Sequence, residues 1–169
     1  MSIQSIIQNI SRRSDCIVHP PSQSQLLLED GDLFPDDVKE FYTLCNGIDL
    51  FNESHCAMRI VPQQQFSLAN PILVGEKCEY DISSHWYIIA DIYDGNFLTI
   101  DLHPERLGRC YDSHWDTHAL VGSSTVIAPS FTTLLTQLWN TQGAEEDTWY
   151  WDQPSFRSLG DAYDGIRLK

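Results

Sequence analysis

The stretch Trp86–Leu102, WYIIADIYDGNFLTIDL, constrains the fold more tightly than any other part of the chain. Its two runs, WYIIAD and FLTIDL, are rich in β-branched and aromatic residues and follow a period of two, which marks strands. Between them, Asp94-Gly95 or Gly95-Asn96 supplies the positive φ that a tight hairpin turn requires. Alternation puts Leu98 and Ile100 on one face and Phe97, Thr99 and Asp101 on the other. A lone two-stranded ribbon is marginal in water, so more strands or packed helices must support this one.

The flanking sequence provides them. GRCYD reads as a further strand and STVIAP as a short one. Upstream, CAMRIVP reads as a strand stopped by Pro62, and PQQQFSLAN as one or two helical turns. Ile3, Ile6, Ile7 and Ile10 fall at i, i+3, i+4, i+7 after Ser2, a helix with its N-cap. LLLED predicts a short second helix ended by Gly31. LFPDDVKEFYTLCNG predicts a firmer one. Pro35 suits its first turn and Asp36 and Asp37 suit the positive end of its dipole. Val38, Phe41, Tyr42 and Cys45 form its stripe, and Asn46-Gly47 closes it. PSFTTLLTQLWN predicts a last helix capped by Ser130, with Phe131, Leu134, Leu135 and Leu138 facing inward. Helices, then consecutive strands, then a helix indicate an α+β fold. The expectation is an antiparallel sheet of about four to six strands, with N-terminal helices and a C-terminal helix packed on it. Residues 1–142 are expected to form a single domain. Residues 143–169 read as an acidic, aromatic extension without helical period, packed on that domain or facing a partner.

Charge excludes whole classes of function. Against 10 Lys and Arg stand 24 Asp and Glu, a formal net charge of −14. Nucleic-acid binding needs clustered cations that displace counterions, and an anionic membrane surface repels such a chain. No apolar run reaches the roughly 20 residues of a membrane span. MSIQSIIQNISRR has its arginines after a broken apolar part, the reverse of a secretory signal, so no targeting segment is read. The five cysteines never form a C-x-x-C pair, which argues against a zinc ribbon and suits a reducing cytoplasm.

The aspartates of the hairpin, followed by His103, His114 and His118, raise the question of catalysis. His114 and His118 stand at i, i+4, but WDT lies between them, without the Glu of H-E-x-x-H. Asp101 and His103 would share a strand face and could be joined by His114 in a mixed site. Neither a nucleophile elbow nor a phosphate-binding glycine loop occurs. The residues therefore suggest no cofactor, while a metal-dependent hydrolase using the Asp/His cluster stays open as an alternative.

In their order, LFPDDVKEFYTLCNGIDLF, MRIVPQQQF, WYIIADIYDGNFLTIDL, GRCYDSHWD and IAPSFTTLLTQLW resemble the SUKH superfamily over about residues 33–139. Its members include fungal regulators of cell-wall glucan synthesis and bacterial immunity proteins of toxin systems. Phe34 departs from the pattern by separating Leu33 from Pro35. The resemblance implies helices on an antiparallel sheet, no catalytic activity, and work done by binding another protein. In bacteria it implies an immunity protein that masks a cognate toxin, often a nuclease or deaminase, and hence a basic partner. A regulatory or scaffold module of the cell-wall-regulator type is the alternative. A monomer or weak homodimer is expected. The partner-binding candidates are Asp91, Asp94, Asp101, Glu105, Asp112 and Asp116, each of which could equally end a strand or serve a turn. Trp149 and Trp151 join them as aromatic anchors that could equally pack on their own domain.

Overall fold

The computed structural model describes residues 1–143 and 148–166; residues 144–147 and 167–169 of the C-terminal extension lie outside the described residues. Helix α1 (Ile3–Ile10) buries all four of its isoleucines, and the Ser2 side chain accepts the Ser5 amide at 3.2 Å. Helix α2 (Asp36–Leu44) buries Val38, Phe41 and Tyr42, with Cys45 buried as its C-cap. Pro35 is the N-cap of α2, one position before the first turn expected for it. Next, PQQQFSLAN gives a 3-10 turn at Gln63–Gln65 and leads into the short helix α3 (Asn70–Leu73). Helix α4 (Phe131–Asn140) starts at Ser130, whose hydroxyl accepts the Thr133 amide at 3.2 Å. Asp37 of α2 also accepts from the Thr132 amide, at 2.8 Å, tying the two helix starts together. Burial decides that α4 forms. Its three threonines cost roughly 0.5 kcal/mol each in propensity, whereas burying Phe131, Leu134, Leu135 and Leu138 contributes at most roughly 6–12 kcal/mol.

The sheet is an antiparallel meander whose spatial order is its sequence order. Its strands are β1 (Ile17–Val18), β2 (Ile48–Leu50), β3 (Met58–Ile60), β4 (Trp86–Asp91), β5 (Phe97–Asp101), β6 (Cys110–Ser113) and β7 (Val126–Ala128). Among the described residues the sheet has seven strands, more than the four to six expected. The extra ones are β1, two residues long, and β2, three residues buried throughout, and neither is long enough to display a period of two. The helix expected at LLLED is also absent. Leu26 and Leu28 pack against the core along an irregular segment. That segment is held from outside: the Glu29 amide donates to the Tyr87 hydroxyl at 2.9 Å and the Leu33 amide to the Leu102 carbonyl at 2.9 Å.

Strands β4 and β5 form the expected hairpin, with a bulge between Ile88 and Ala90. Leu98 and Ile100 join the main core under α1, α2 and α4. Thr99 and Asp101 point the other way, as alternation requires, yet both are fully buried. On their side a second core gathers Trp86, Tyr111 and Val126 under Ala162 and Tyr163. The C-terminal segment reaches both faces. Tyr150 donates to the Ile127 carbonyl at 2.7 Å on the helix side. Farther on, Gly160 accepts the Val126 amide at 3.0 Å and the Ala162 amide donates to Ser124 at 2.8 Å, covering the β7 edge. Among the described residues, no helix is long and apolar enough to cross a membrane.

Gly47, at φ +97°, lets the chain leave α2 and enter β2 against β3. A Cβ there would lie 2.7 Å from the Ile60 carbonyl oxygen, which is backbone and cannot step aside. Gly47→Ala is expected to destabilise the fold by about 2 kcal/mol or more. Urea denaturation checks this, and an unchanged midpoint would contradict it.

Candidate protein-interaction surface

The candidate acids divide between the two ends of the sheet. Asp101 and Glu105 belong to the end where Trp86 pairs with Asp101, and Asp91 belongs to the end where it pairs with Phe97, itself paired with Ser113. Asp94 sits in the hairpin turn and Asp116 in the loop after β6, both exposed beyond that second end.

Asp101 has no exposed surface. Its carboxylate accepts from Arg106 Nε at 2.8 Å, Trp86 Nε1 at 3.0 Å, the Tyr111 hydroxyl at 3.1 Å and the His103 amide at 2.9 Å. A buried charge is tolerated when paired and hydrogen-bonded in this way, and it leaves no lone pair facing solvent for a partner. Asp101 and His114 stand at opposite ends of β5 and β6, separated by about 16 Å of strand. The mixed Asp101–His103–His114 site that the sequence left open is therefore not assembled. Among the described residues, no three His, Cys, Asp or Glu side chains stand together as a possible metal site.

Asp112 is half-buried, one oxygen accepting from Trp151 Nε1 at 3.1 Å and the other buried without a hydrogen-bond partner. Burial pushes its carboxyl above the ordinary range, and the Trp151 N–H offsets part of this. Trp151 is itself only 7% exposed and stacks at 5.3 Å on the half-buried Trp149. Both indoles thus pack against the chain's own domain. Glu105 is exposed beside the other end of the sheet.

The acids at the hairpin end belong to a rigid assembly. Asp91 Oδ1 accepts the Tyr93 amide at 2.7 Å, and Asn96 closes the turn with the Ile92 amide donating to its carbonyl at 3.0 Å. Tyr93 and Asp94 sit at φ +68° and +56°, ahead of Gly95. Left-handed backbone at two non-glycine residues costs of order 1 kcal/mol each, held by the bonds around it. The sequence placed positive φ at Asp94-Gly95 or Gly95-Asn96, and the structure extends it back to Tyr93. The Asn96 side chain in turn accepts the Trp115 amide at 2.9 Å. Trp115 is 65% exposed and is followed by Asp116, which pairs with His114 at 2.5 Å.

Behind this loop His118 is buried in a polar network. Asn70 spends its two N–H donors on Lys77 and Ser83, so its oxygen accepts from His118 Nε2, at 2.7 Å. Nδ1 then accepts from Ser113 Oγ at 2.9 Å, and the Ser113 oxygen from Thr99 at 2.8 Å. His118 is thereby fixed as a neutral tautomer. Burial lowers its pKa to about 4, with Asp81 opposing in part. The network joins β5, β6 and α3 and holds the loop that presents Trp115.

Several contributors escaped sequence reasoning. Trp115 stands in the polar run DSHWDTH, and a lone Trp among polar residues was the available signal. The Asp49 carboxylate bridges Arg59 at 2.5 Å and His19 at 2.8 Å. Burial raises that carboxyl, but the Arg59 and His19 hydrogen bonds outweigh it and hold it below the ordinary range. Asp32, buried, accepts from His85 at 2.5 Å and from Tyr87 at 2.8 Å. Arg59 lies 10 positions from Asp49 and the other partners 30 to 55 positions away, so no local pattern announces these pairs.

The family model described as SMI1 / KNR4 family (SUKH-1) matches residues 31–137. Immunity protein YokJ of Bacillus subtilis (strain 168) is 44% identical to the chain over 169 residues, covering 100% of both. No solved structure matches the chain significantly.

Replacing Asp101 by Ala strands the Arg106 charge and three further donors, and is expected to destabilise the fold by about 3–5 kcal/mol; denaturant titration measures it. For His118, the unfolded chain takes up a proton near pH 6.5 while the fold holds the ring neutral to about 4. The unfolded state binds more protons between those values, so stability falls as pH drops through that window, by about 3 kcal/mol. Measured against pH, the stability difference between wild type and His118→Gln should change across pH 4–6.5 and be flat above 7.5.

Proposed function

The chain belongs to the SMI1 / KNR4 family (SUKH-1), and from that premise we propose that it is an immunity protein, a non-catalytic domain that neutralises a cognate toxin by binding and masking it. The observation that carries this reading is the full-length relation to immunity protein YokJ, 44% identical with no part of either chain left over.

The partner is a basic toxin domain of the kind that attacks nucleic acid. A net charge of −14 on 169 residues supports this. It produces a long-range field that speeds encounter with a cationic surface and repels nucleic acid itself. A nuclease or deaminase carries such a surface to hold its substrate, and an acidic inhibitor competes for it. The site of action is the cytoplasm, where such a toxin meets its substrate. Buried thiols at Cys16, Cys45 and Cys110 fit a reducing compartment. The chain works as a monomer or weak homodimer.

The non-catalytic reading is supported by what the acids and histidines do. Asp101 is consumed by four donors, His118 by two partners, and His114 pairs with Asp116. Each titratable group that the sequence offered for chemistry serves the structure or stands apart from the others.

The test is to express the protein encoded beside the chain's own gene, which this reading expects to carry a toxin domain, with and without the chain. Growth is expected to be restored only with it. Purified partners should associate at a rate that falls at least about tenfold between 50 mM and 500 mM salt. Toxicity unrelieved by the chain would overturn the reading, and a rate indifferent to salt would remove the electrostatic part of it.

A further inference from the structure

The hairpin end of the sheet carries an exposed aromatic that the fold does not use. Trp115 is 65% exposed, and Tyr93 beside the same turn is 39% exposed. An indole presents 150–250 Å² of mostly apolar surface, which in water is a standing cost unless something covers it. The fold nevertheless holds this residue firmly. Its amide is bound by Asn96, its loop is closed by the Thr117 and His118 amides on the His114 carbonyl at 3.1 and 2.8 Å, and His118 is anchored on both ring nitrogens. Pre-organisation lowers the entropy lost on binding. The Tyr93–Asp94 turn, held left-handed on the other side of Asn96, is equally fixed.

The charge next to this aromatic is mostly negative; the cation nearest the turn, Arg59 across from Asp91, is held by the Asp49 carboxylate on the side of Tyr93. Asp116 follows Trp115 directly, Asp94 tops the adjoining turn, and Asp91 closes β4 beneath it. His114 is already paired with Asp116. A cavity of about 550 Å³ lies at the opposite end of the strands between the β5–β6 loop and residues 159–164. Its lining mixes Arg106 and Arg109 with Glu105, Asp161 and Asp164, so it offers a charged partner no single complementary sign.

We propose that Trp115, with Asp116 beside it and Asp94 on the adjoining turn, is the central anchor of the surface that docks a basic protein segment, with an arginine or lysine of that segment lying on the indole face. This rests on the immunity reading and names its contact surface. The combination fits a cation above all: the ring face attracts it, while the neighbouring carboxylates pair with the remaining positive charge at the rim. A buried aromatic surrounded by polar groups that exclude water is the arrangement that dominates interface energies. Steering by the whole-chain charge brings the partner, and Trp115 sets where it stops.

The test uses the full chain and the toxin domain encoded beside its gene, with affinity and association rate measured for wild type and three variants. Trp115→Ala should weaken binding about 30-fold or more, mainly by faster dissociation, with the thermal midpoint unchanged because the side chain is exposed. Asp94→Lys should slow association about tenfold at low salt and lose this effect at high salt. Leu159→Ala, at the opposite end and 63% exposed, should bind within twofold of wild type. Tight wild-type binding that Trp115→Ala leaves within about threefold would overturn the proposal while leaving the immunity reading in place. Absence of binding by the wild type would overturn the immunity reading, and the proposal with it.

Discussion

A single buried carboxylate holds the second face of the sheet together. Asp101 ends β5, and its two oxygens receive the indole of Trp86, the hydroxyl of Tyr111, the guanidinium of Arg106 and a backbone amide. Those donors come from β4, β6 and the β5–β6 loop, so one group fixes the central strands against each other. Once it does, Trp86 and Tyr111 stack at 4.2 Å and present an apolar platform that Ala162 and Tyr163 cover. The C-terminal segment therefore finishes the fold on that side.

The same logic runs through His118. Its ring joins Thr99 and Ser113 on the strands to Asn70 and Ser83 on the segment that crosses them. Each side-chain polar atom in that network has a hydrogen-bond partner, so it rigidifies the loop after β6 instead of burdening it. A loop fixed from behind can hold an exposed tryptophan at constant position in front. Sequence to network, network to loop and loop to surface form one chain of cause.

How much of this was legible depended on whether the information was local. The hairpin, α1, α2 and α4 announced themselves through periods of 2 and 3.6, and with their order they carried the SUKH resemblance, which the family match over residues 31–137 bears out. Strands β1 and β2 were not legible, since two or three residues cannot show a period. LLLED has apolar residues enough for a helix, but Tyr87 pins its Glu29 and Leu102 pins Leu33 just beyond it. The aspartates were the hardest case. An Asp at every second strand position reads the same whether it meets solvent or four buried donors, and those donors lie up to 15 residues away. Alternation found the face of Asp101 correctly, and the distant contacts decided that the face is covered. For Trp115 the converse holds: its neighbours have no period, and only the assembled turn shows that it is presented.

A chain that binds its partner through the hairpin end of the sheet, while the Asp101 end serves the fold, must show that division on binding. Hydrogen exchange on the full chain, alone and saturated with the toxin domain, measures this directly. Added protection is expected across residues 91–97 and 113–119, with residues 104–109 and 159–164 unchanged. Protection confined to 104–109 and 159–164 would contradict the account.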